Sequence, residues 1–198
     1  MSEWRLFDGP VAHVSTAAFH EHRGRAPHLE QPGHQARLYA AVEAIVALSP
    51  ATVVDLGCGD GGLLGLLRLK GVEAWGYDFA PANADGWAER GVSAELHDVF
   101  TARHVPHWGE LVVLTEVLEH LTDPHGVLEW ISWHAPYVVA SSPRDENADS
   151  HADEHAWAWD EAGYAALFAP HWVIERHEPC GWSQIVVASS RHVSPSEW

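Results

Sequence analysis

Hydrophobic and polar positions follow two different periods along most of the chain. From residue 35 to residue 48, apolar side chains recur every three or four positions, which predicts a helix that ends before Ser49 and Pro50 (Leu38, Ala41, Val42, Ile45 and Leu48). A short, continuous apolar run at 52–56 follows and ends at Gly57. Such a run is typical of a central strand buried on both faces of a sheet.

The alternation of helix and strand repeats further along the chain. We predict helices at 62–70, 81–90 and 124–134, and strands at 73–77, 94–97, 111–114 and 137–140. Strands that alternate with helices imply βαβ units and a parallel sheet. Towards the end, a helix at 159–167 precedes two strands at 172–178 and 182–189, and the short Pro-Cys-Gly turn between them makes this pair antiparallel. The pattern therefore predicts an α/β fold.

The two ends of the chain lack this order. Residues 1–34 show no sustained period and carry five histidines, at positions 13, 20, 22, 28 and 34. We predict a loop-rich arm at 1–34 with one short helix near 16–22, an α/β domain at 35–192 and a free tail at 193–198. The arm histidines are either solvated surface groups or part of a lid over a binding site.

The charge of the chain narrows the classes of partner. Asp and Glu outnumber Lys and Arg by 28 to 11, which gives a formal net charge of -17, and Lys70 is the one lysine. Such a surface repels phosphate backbones, because nucleic-acid affinity depends on Lys and Arg displacing counterions. We therefore expect a small molecule as the partner, and neither nucleic acid nor a membrane surface.

The number of cysteines and the hydrophobic pattern bear on the cellular compartment of the protein. Cys58 and Cys180 are the two cysteines, and so low a number fits a reducing environment. The first residues lack a basic region followed by an apolar run, and no segment approaches 18 continuous apolar residues. We expect a cytoplasmic protein.

The strongest chemical signal is the segment 53–64, Val-Val-Asp-Leu-Gly-Cys-Gly-Asp-Gly-Gly-Leu-Leu. Gly57, Gly59 and Gly61 stand between an apolar strand and a helix, so the backbone can turn sharply and approach a ligand without obstruction by Cβ atoms. Free N–H groups at the start of the helix suit an anionic group. A glycine run of this kind also occurs as an ordinary tight turn.

Two aspartates extend this signal. Asp78 follows the second predicted strand, 21 residues after Gly57, where its carboxylate can accept hydrogen bonds from the two hydroxyls of a ribose. Asp98 follows the third strand, where a carboxylate can accept from an adenine amino group. The carboxyl ends of strands are where open α/β sheets bind ligands. The glycines and both aspartates therefore predict a nucleoside-containing ligand at this edge.

In this order, the segment 55–61, Tyr77-Asp78, His97-Asp98 and the segment 111–120 resemble the successive motifs of class I S-adenosylmethionine-dependent methyltransferases. The resemblance spans about residues 35–189. It implies a Rossmann-like, seven-stranded, mostly parallel sheet with an antiparallel last strand and helices on both faces. It also implies S-adenosylmethionine as the cofactor, with nine candidate contacts: Asp55, Gly57, Cys58, Gly59, Asp78, Phe79, Asp98, Val99 and Glu116.

Within that resemblance, the loop at Asp55, Gly57 and Gly59 would hold the methionine end of the cofactor, Asp78 its ribose and Asp98 its adenine. The spacing of Gly57, Gly59 and Gly62 also satisfies the G-x-G-x-x-G pattern of nicotinamide-binding proteins, so this alternative stays open. The Asp-x-Gly-x-Gly form and the later motifs favour methyl transfer.

A second cluster follows the fourth predicted strand, in the segment Thr-Glu-Val-Leu-Glu-His-Leu at 115–121. If this segment is a helical turn, Glu116, Glu119 and His120 stand at i, i+3 and i+4 on one face. Two carboxylates and an imidazole suit a divalent cation, and the oxygen-rich set favours Mg²⁺ or Mn²⁺ over a structural zinc. Alternatively, His120 acts as a general base or simply packs beneath the substrate.

The Glu-x-x-Glu-His pattern is similar to two branches of the family: the ubiquinone-biosynthesis O-methyltransferases, and the metal-dependent methyltransferases that modify the 2′-hydroxyl at small-RNA 3′ ends. The RNA branch has a further histidine ligand after the fifth strand, which implies His151 or His155 here. The metal candidates are therefore Glu116, Glu119, His120 and His155. We hypothesise O-methylation of a small metabolite, with Glu116, Glu119 and His120 as the catalytic candidates. An RNA 2′-O-methyltransferase and a non-catalytic cofactor-binding protein are the alternatives.

Four further residues are candidates for the acceptor pocket. Trp157 and Trp159 follow the fifth strand and either wall an aromatic pocket or pack in the core. Arg37 and Arg144 are candidate anchors for an acidic group of the substrate.

Overall fold

The computed structural model describes residues 3–25 and 27–194. Its strands are β1 (Glu3–Arg5), β2 (Val53–Leu56), β3 (Ala74–Asp78), β4 (Ser93–Leu96), β5 (Leu111–Thr115), β6 (Tyr137–Pro143), β7 (Trp157–Trp159), β8 (Trp172–Cys180) and β9 (Ser183–Ser190). Within the described residues, seven of them form one sheet in the order β4-β3-β2-β5-β6-β9-β8. Strand β9 pairs antiparallel with β6 and β8, and the other neighbours pair in parallel. The predicted sheet, with its antiparallel last strand, is confirmed.

Helices cover both faces of this sheet, as expected. They are α1 (Ala17–Arg23), α2 (Pro32–Leu48), α3 (Gly62–Leu69), α4 (Ala84–Arg90), α5 (Val99–Ala102), α6 (Pro124–Ser132) and α7 (Glu161–Phe168). Successive residues of β5 point to opposite faces. Val112 and Leu114 share a core with residues of α6 and α7, whereas Leu111 and Val113 share one with residues of α2 and α3. No helix among the described residues is long and apolar enough to cross a membrane.

Two α-helices begin later in the structure than the sequence predicts. The helix expected at 81–90 is divided into a 3₁₀ turn at Pro81–Asn83 and the α-helix α4. The helix expected at 159–167 begins only at Glu161, because the side chain of Asp160 accepts a hydrogen bond from the N–H of Gly163 and caps α7. The residues before that cap form strand β7, so Trp159 was wrongly assigned to the helix.

The arm is bound to the rest of the chain by backbone hydrogen bonds. Strand β1 pairs antiparallel with β7, which the sequence did not indicate. Further on, the N–H of Val14 donates to the carbonyl of His120 at 2.9 Å, and the N–H of Thr122 donates to the carbonyl of Ala12 at 3.0 Å. Helix α2 begins at Pro32, inside the predicted arm, because proline suits the first turn of a helix. Of the predicted tail, residues 195–198 lie outside the described residues.

Candidate functional site

A cavity of about 310 Å³ lies where β2, β3 and β5 end. Residues that end or follow these strands form its floor, among them Gly57, Asp78 and Glu116. The histidine-bearing arm contributes its cover. This is the edge of an open α/β sheet at which ligands bind.

The glycine-rich loop between β2 and α3 forms one wall of the cavity. Gly57, Gly59 and Gly61 have φ angles of 83°, 54° and 79°, in the left-handed region that glycine adopts without strain. At Gly57 a side chain is also excluded by space, because a Cβ atom there would lie 2.8 Å from Cγ2 of Val117. Cys58 in this loop is a buried free thiol. The loop therefore brings mainly backbone to the cavity.

Asp78 ties this loop to the end of β3. Its Oδ2 accepts a hydrogen bond from the N–H of Gly59 at 2.8 Å, and its Oδ1 accepts from the N–H of Ala80 at 2.8 Å and from Nδ2 of Asn83 at 3.2 Å. Three donors hold the carboxylate in one orientation. Asp78 lines the cavity together with Phe79, the next residue.

Asp55 presents an unpaired acid to the same wall. It is buried, it lines the cavity, and its Oδ1 has no hydrogen-bond partner among the described residues. Burial, followed by the nearby Asp78 carboxylate, raises the pKa of Asp55 to about 7. A buried polar atom without a partner is costly. The position therefore suits a ligand group that donates hydrogen bonds.

Asp98 is held by the arm. Its Oδ1 accepts a hydrogen bond from the N–H of Thr101 at 3.0 Å and caps α5, and its Oδ2 lies 3.0 Å from Nε2 of His13. The His13 ring packs on Phe79 with 4.5 Å between ring centroids. Val99 is buried in the core. Of these adenine-side candidates, Phe79 lines the cavity, whereas Asp98 contacts the arm.

The prediction that the segment after β5 carries Glu116, Glu119 and His120 on one helical face is wrong for Glu116. Glu116 has a φ of 56°, in the left-handed region, and the 3₁₀ turn begins two residues later. The carboxylate of Glu116 accepts a hydrogen bond from Oγ of Ser141 at 3.0 Å, and its Oε2 lies 3.4 Å from Nη1 of Arg37. Burial raises the pKa of Glu116 above its usual value. Glu116 is thus paired with Arg37 rather than aligned with Glu119 and His120.

Glu119, His120 and His155 come together instead. Each offers a ligand atom, and these atoms lie within 4.8 Å of one another. Glu119 is 1% exposed, and neither carboxylate oxygen has a hydrogen-bond partner among the described residues. Burial, followed by the proximity of Glu116, raises the pKa of Glu119 well above its usual value. His151, the other histidine that the resemblance implies, is exposed and lies outside this group.

The surroundings of His120 fix which ring nitrogen carries the proton. Its Nδ1 lies 2.8 Å from the carbonyl oxygen of Glu154 and 3.0 Å from Oγ of Ser15. A carbonyl oxygen only accepts, so Nδ1 donates and Nε2 is left unprotonated in the neutral ring. Burial, followed by the neighbouring His155, lowers the pKa of His120 to about 3. His120 is therefore a neutral imidazole at neutral pH.

One of the two candidate arginines lies in the cavity. Arg37 is 2% exposed, and its Nε and Nη1 make no hydrogen bond within the described part of the chain. Arg144 is exposed and pairs with Asp145, away from the cavity lining. Burial, followed by Arg37, lowers the pKa of His28 to about 3. Four arm histidines line the cavity: His13, His20, His28 and His34.

The two tryptophan candidates lie elsewhere. Trp159 is fully buried in the core, and the ring of Trp157 stacks parallel to it, with 2° between the planes. Neither is among the described residues that line the cavity, so the aromatic-wall hypothesis is wrong. Trp182 lines the cavity instead, and its Nε1 donates to the carbonyl of Gly33 at 2.6 Å. Its place beside the predicted turn was the one sequence signal for it.

Known proteins are similar to this chain to different extents. The model of a methyltransferase domain family matches residues 31–171. Trans-aconitate 2-methyltransferase from Mycobacterium ulcerans (strain Agy99) is 30% identical over 158 residues, covering 76% of this chain and 54% of that protein. Ubiquinone biosynthesis O-methyltransferase from Psychrobacter arcticus (strain DSM 17307 / VKM B-2377 / 273-4) is 28% identical over 95 residues, covering 43% and 37%. The chain spans about half the length of the first of these curated relatives.

Solved structures share the fold. The N-methyltransferase NodS from Bradyrhizobium japonicum WM9, in complex with S-adenosyl-L-homocysteine, superposes with a TM-score of 0.67. The match covers 82% of this chain and 89% of that one, at 15% sequence identity. At this identity the likeness concerns the architecture of the sheet and its helices.

Proposed function

The chain belongs to the methyltransferase domain family, and on that premise we propose that it transfers a methyl group from S-adenosylmethionine to an oxygen atom of a small acceptor. One observation carries the proposal: a single cavity has two unlike walls. The glycine loop and Asp78 form the first wall. Glu119, His120 and His155 form the second. The first wall suits a nucleoside cofactor, and the second suits the removal of a proton.

The first wall offers groups for each part of the cofactor. Asp78 is oriented to accept hydrogen bonds from ribose hydroxyls, and Phe79 provides a ring beside which adenine can pack. The unpartnered Oδ1 of Asp55 suits an ammonium group. The buried donors of Arg37 suit an acidic group of the cofactor or of the acceptor.

The second wall is suited to a hydroxyl acceptor. The hydroxyl must lose its proton as its oxygen forms a bond to the methyl carbon and the bond from that carbon to sulfur breaks. Nε2 of His120 is unprotonated, and the ring is held by Glu154 and Ser15. His120 can therefore accept this proton, and Glu119, once ionised, would stabilise the resulting positive ring.

The same wall also fits a divalent cation. Two buried carboxylate oxygens of Glu119 lack partners, a costly state that a cation would relieve. Glu119, His120 and His155 would hold the ion. One carboxylate and two imidazoles favour Mn²⁺ over Mg²⁺, because Mg²⁺ prefers oxygen ligands. Such an ion, when bound, makes an acceptor hydroxyl more acidic.

A small acceptor agrees with the cavity, the charge and the relatives. The cavity of about 310 Å³ is at the small end of ligand pockets, which suits small molecules rather than a polymer. The net charge of -17 disfavours a polyanion such as RNA. The matched relatives carry names that specify trans-aconitate and ubiquinone biosynthesis. An acidic or phenolic acceptor is therefore the first class to test.

Transfer of tritium from methyl-labelled S-adenosylmethionine to a panel of phenols and carboxylic acids tests this function. We expect transfer to a small acceptor, a large loss of transfer in His120→Ala, and unchanged transfer in Arg144→Ala, whose side chain lies outside the cavity lining. EDTA should reduce transfer and Mn²⁺ should restore it.

Three outcomes would contradict parts of the proposal. Transfer to RNA alone would favour the 2′-O-methyltransferase alternative. Tight cofactor binding without transfer to any acceptor class would favour the non-catalytic alternative. Full activity in EDTA would reject the cation and leave His120 as the base.

A further inference from the structure

Glu146 lies behind His155 and has no role in the function described so far. Its Oε2 lies 2.5 Å from Nδ1 of His155, and its Oε1 accepts a hydrogen bond from the N–H of Ala152 at 3.2 Å. The side chains of His155 and Glu146 are 9% and 20% exposed. Both oxygens of this carboxylate are therefore used to hold the loop that carries His155.

The contact between Glu146 and His155 selects a tautomer of the ring. An ionised carboxylate only accepts hydrogen bonds, so Nδ1 of His155 must carry a proton. In the neutral ring, Nε2 then keeps its lone pair. The carbonyl oxygen of Glu154 selects the same tautomer at His120, whose ring centroid lies 4.8 Å from that of His155. Both histidines thus use Nδ1 as an anchor and leave Nε2 for the cluster.

Several backbone contacts restrain the loop between residues 146 and 155. The N–H of His155 donates to the carbonyl of Ala152 at 3.1 Å, and the carbonyl of Glu154 lies 2.8 Å from Nδ1 of His120. Asn147 and Ser150 exchange two backbone hydrogen bonds, of 3.0 and 3.2 Å, which close a tight turn. At the far end, the N–H of Ala156 donates to the carbonyl of Glu119 at 2.6 Å. These contacts fix the backbone of the loop, whereas the Glu146 side chain holds the His155 ring through Nδ1 and ties it to the N–H of Ala152.

We propose that Glu146 is a positioning residue that holds His155 in the tautomer and orientation in which Nε2 offers a lone pair beside Glu119 and His120. The purpose of this arrangement rests on the proposed function, since a lone pair is needed to bind a divalent cation in the cluster. Carboxylate partners of this kind orient histidine ligands and raise their basicity, and their removal commonly lowers metal affinity about 10- to 100-fold.

Glu146→Gln is the decisive variant, because it keeps the shape of the side chain and replaces one acceptor oxygen by an NH₂ group that donates hydrogen bonds. If the Gln oxygen still accepts from Ala152, its amide NH₂ faces His155 and can only donate to Nδ1. That contact moves the ring proton to Nε2. If the amide turns the other way, its NH₂ meets the N–H of Ala152 and that hydrogen bond is lost. Asp153→Asn is the matched control, since it removes one charge from an exposed position of the same loop.

The tautomer can be measured directly in the metal-free protein. Long-range ¹H–¹⁵N spectra of uniformly ¹⁵N-labelled protein distinguish the two tautomers, and the His155 signals are identified by their absence in His155→Ala. We expect the Nδ1–H tautomer in the wild-type protein and in Asp153→Asn, and a shift towards Nε2–H or a mixture in Glu146→Gln. A wild-type His155 in the Nε2–H form would overturn the proposal even if Glu146→Gln did not fold.

Calorimetric titration with MnCl₂ gives the second readout. We expect the dissociation constant to rise at least 10-fold in Glu146→Gln and to stay within about twofold in Asp153→Asn. Unchanged Mn²⁺ affinity together with an unchanged tautomer in Glu146→Gln would also overturn the proposal. If the wild-type protein binds no Mn²⁺ but the tautomer shifts as expected, the positioning role stands and the cation of the proposed function is rejected.

Discussion

The two walls of the cavity are built in different ways. The first wall, the cofactor wall, comes from a continuous segment, the glycine loop of 57–62, joined by Asp78 at the end of the neighbouring strand. The second wall, the acceptor wall, is assembled from distant parts of the chain. Glu119 and His120 follow β5, His155 lies on the loop after β6, and Ser15, which contacts His120, comes from the arm. The first wall is a property of one β-turn-α unit, whereas the second exists only once the arm and the loops are packed. Each wall should therefore be separable by mutation.

The largest expected effect comes from Glu119→Gln, which should disable the acceptor wall alone. The change replaces a buried acid, whose oxygens have no partners among the described residues, by an amide that cannot ionise. We expect transfer to fall about 10²- to 10⁴-fold, the usual range for loss of acid–base assistance. Cofactor affinity, measured by calorimetry, should stay within about twofold. The free energy of unfolding should not decrease, because a desolvated acid beside Glu116 is replaced by a neutral amide. A parallel loss of cofactor binding would contradict separate walls.

Asp78→Ala should disable the cofactor wall. The change removes the acceptor that orients the N–H groups of Gly59 and Ala80 and that would bind the ribose. We expect S-adenosylmethionine affinity to fall at least about 100-fold, since two hydrogen bonds to a charged group are each worth about 1.5–3 kcal/mol. Glu95→Ala, at an exposed position of the neighbouring strand β4, is the control and should bind normally. Intact binding in Asp78→Ala would reject the cofactor assignment.

A comparison of Gly57→Ala with Gly71→Ala tests why the cofactor wall exposes backbone rather than side chains at Gly57. Both glycines have left-handed φ angles, 83° and 74°, so alanine is strained by about 1 kcal/mol at either position. At Gly71 a Cβ atom would meet nothing within 4 Å, whereas at Gly57 it would approach Val117. We expect urea unfolding to show an additional loss of about 1–3 kcal/mol in Gly57→Ala. Equal stability of the two variants would show that Val117 moves aside without cost.

The smallest expected effect concerns the arm that covers both walls. Nδ1 of His13 lies 2.7 Å from the carbonyl of Ser15, and its Nε2 lies 3.0 Å from Asp98, so both nitrogens face acceptors, which favours the protonated ring. The hydrogen bond to Asp98 raises the pKa of His13. Burial opposes ionisation of Asp98, but the hydrogen bonds from His13 and Thr101 prevail and lower its pKa.

The stabilisation by this pair therefore has a defined pH window. A raised histidine pKa contributes fully below about pH 6.5 and is lost as pH rises through the higher folded value. A lowered aspartate pKa contributes above about pH 3.9 and is lost in stronger acid. We expect His13→Asn to lower the free energy of unfolding by about 1 kcal/mol near pH 5.5 and by much less at pH 9. His22→Asn, at an exposed arm position, should change stability little at either pH. A deficit in His13→Asn that does not vary with pH would rule out the ion pair.

The contrast between the walls also explains how much the sequence reveals. The strands, the glycine loop and Asp78 were predicted because hydrophobic period, turn chemistry and strand ends are local features. The placement of Glu116 was wrong because its left-handed backbone conformation depends on the packing of the segment after β5. A helical spacing rule cannot anticipate one residue with positive φ.

Contacts between distant segments were largely invisible in the sequence. The choice of His155 over His151 depends on the path of the loop after β6, and Glu146 became significant only through its contacts with that loop. Trp159 was misjudged because the Asp160 cap sets the start of α7 two residues later than the hydrophobic period suggested. In each case the deciding interaction joins residues whose proximity is set by tertiary packing or by a side-chain cap.

The pairing of β1 with β7 has a practical consequence for anyone expressing or trimming this protein. The N–H of Leu6 donates to the carbonyl of Ala156, immediately after His155, at 2.7 Å. Deleting residues 3–7 would therefore loosen the segment next to His155 without removing any side chain from the cavity. A bulky fusion partner attached close to β1 is exposed to the same risk, and an affinity tag with a long flexible spacer would avoid it.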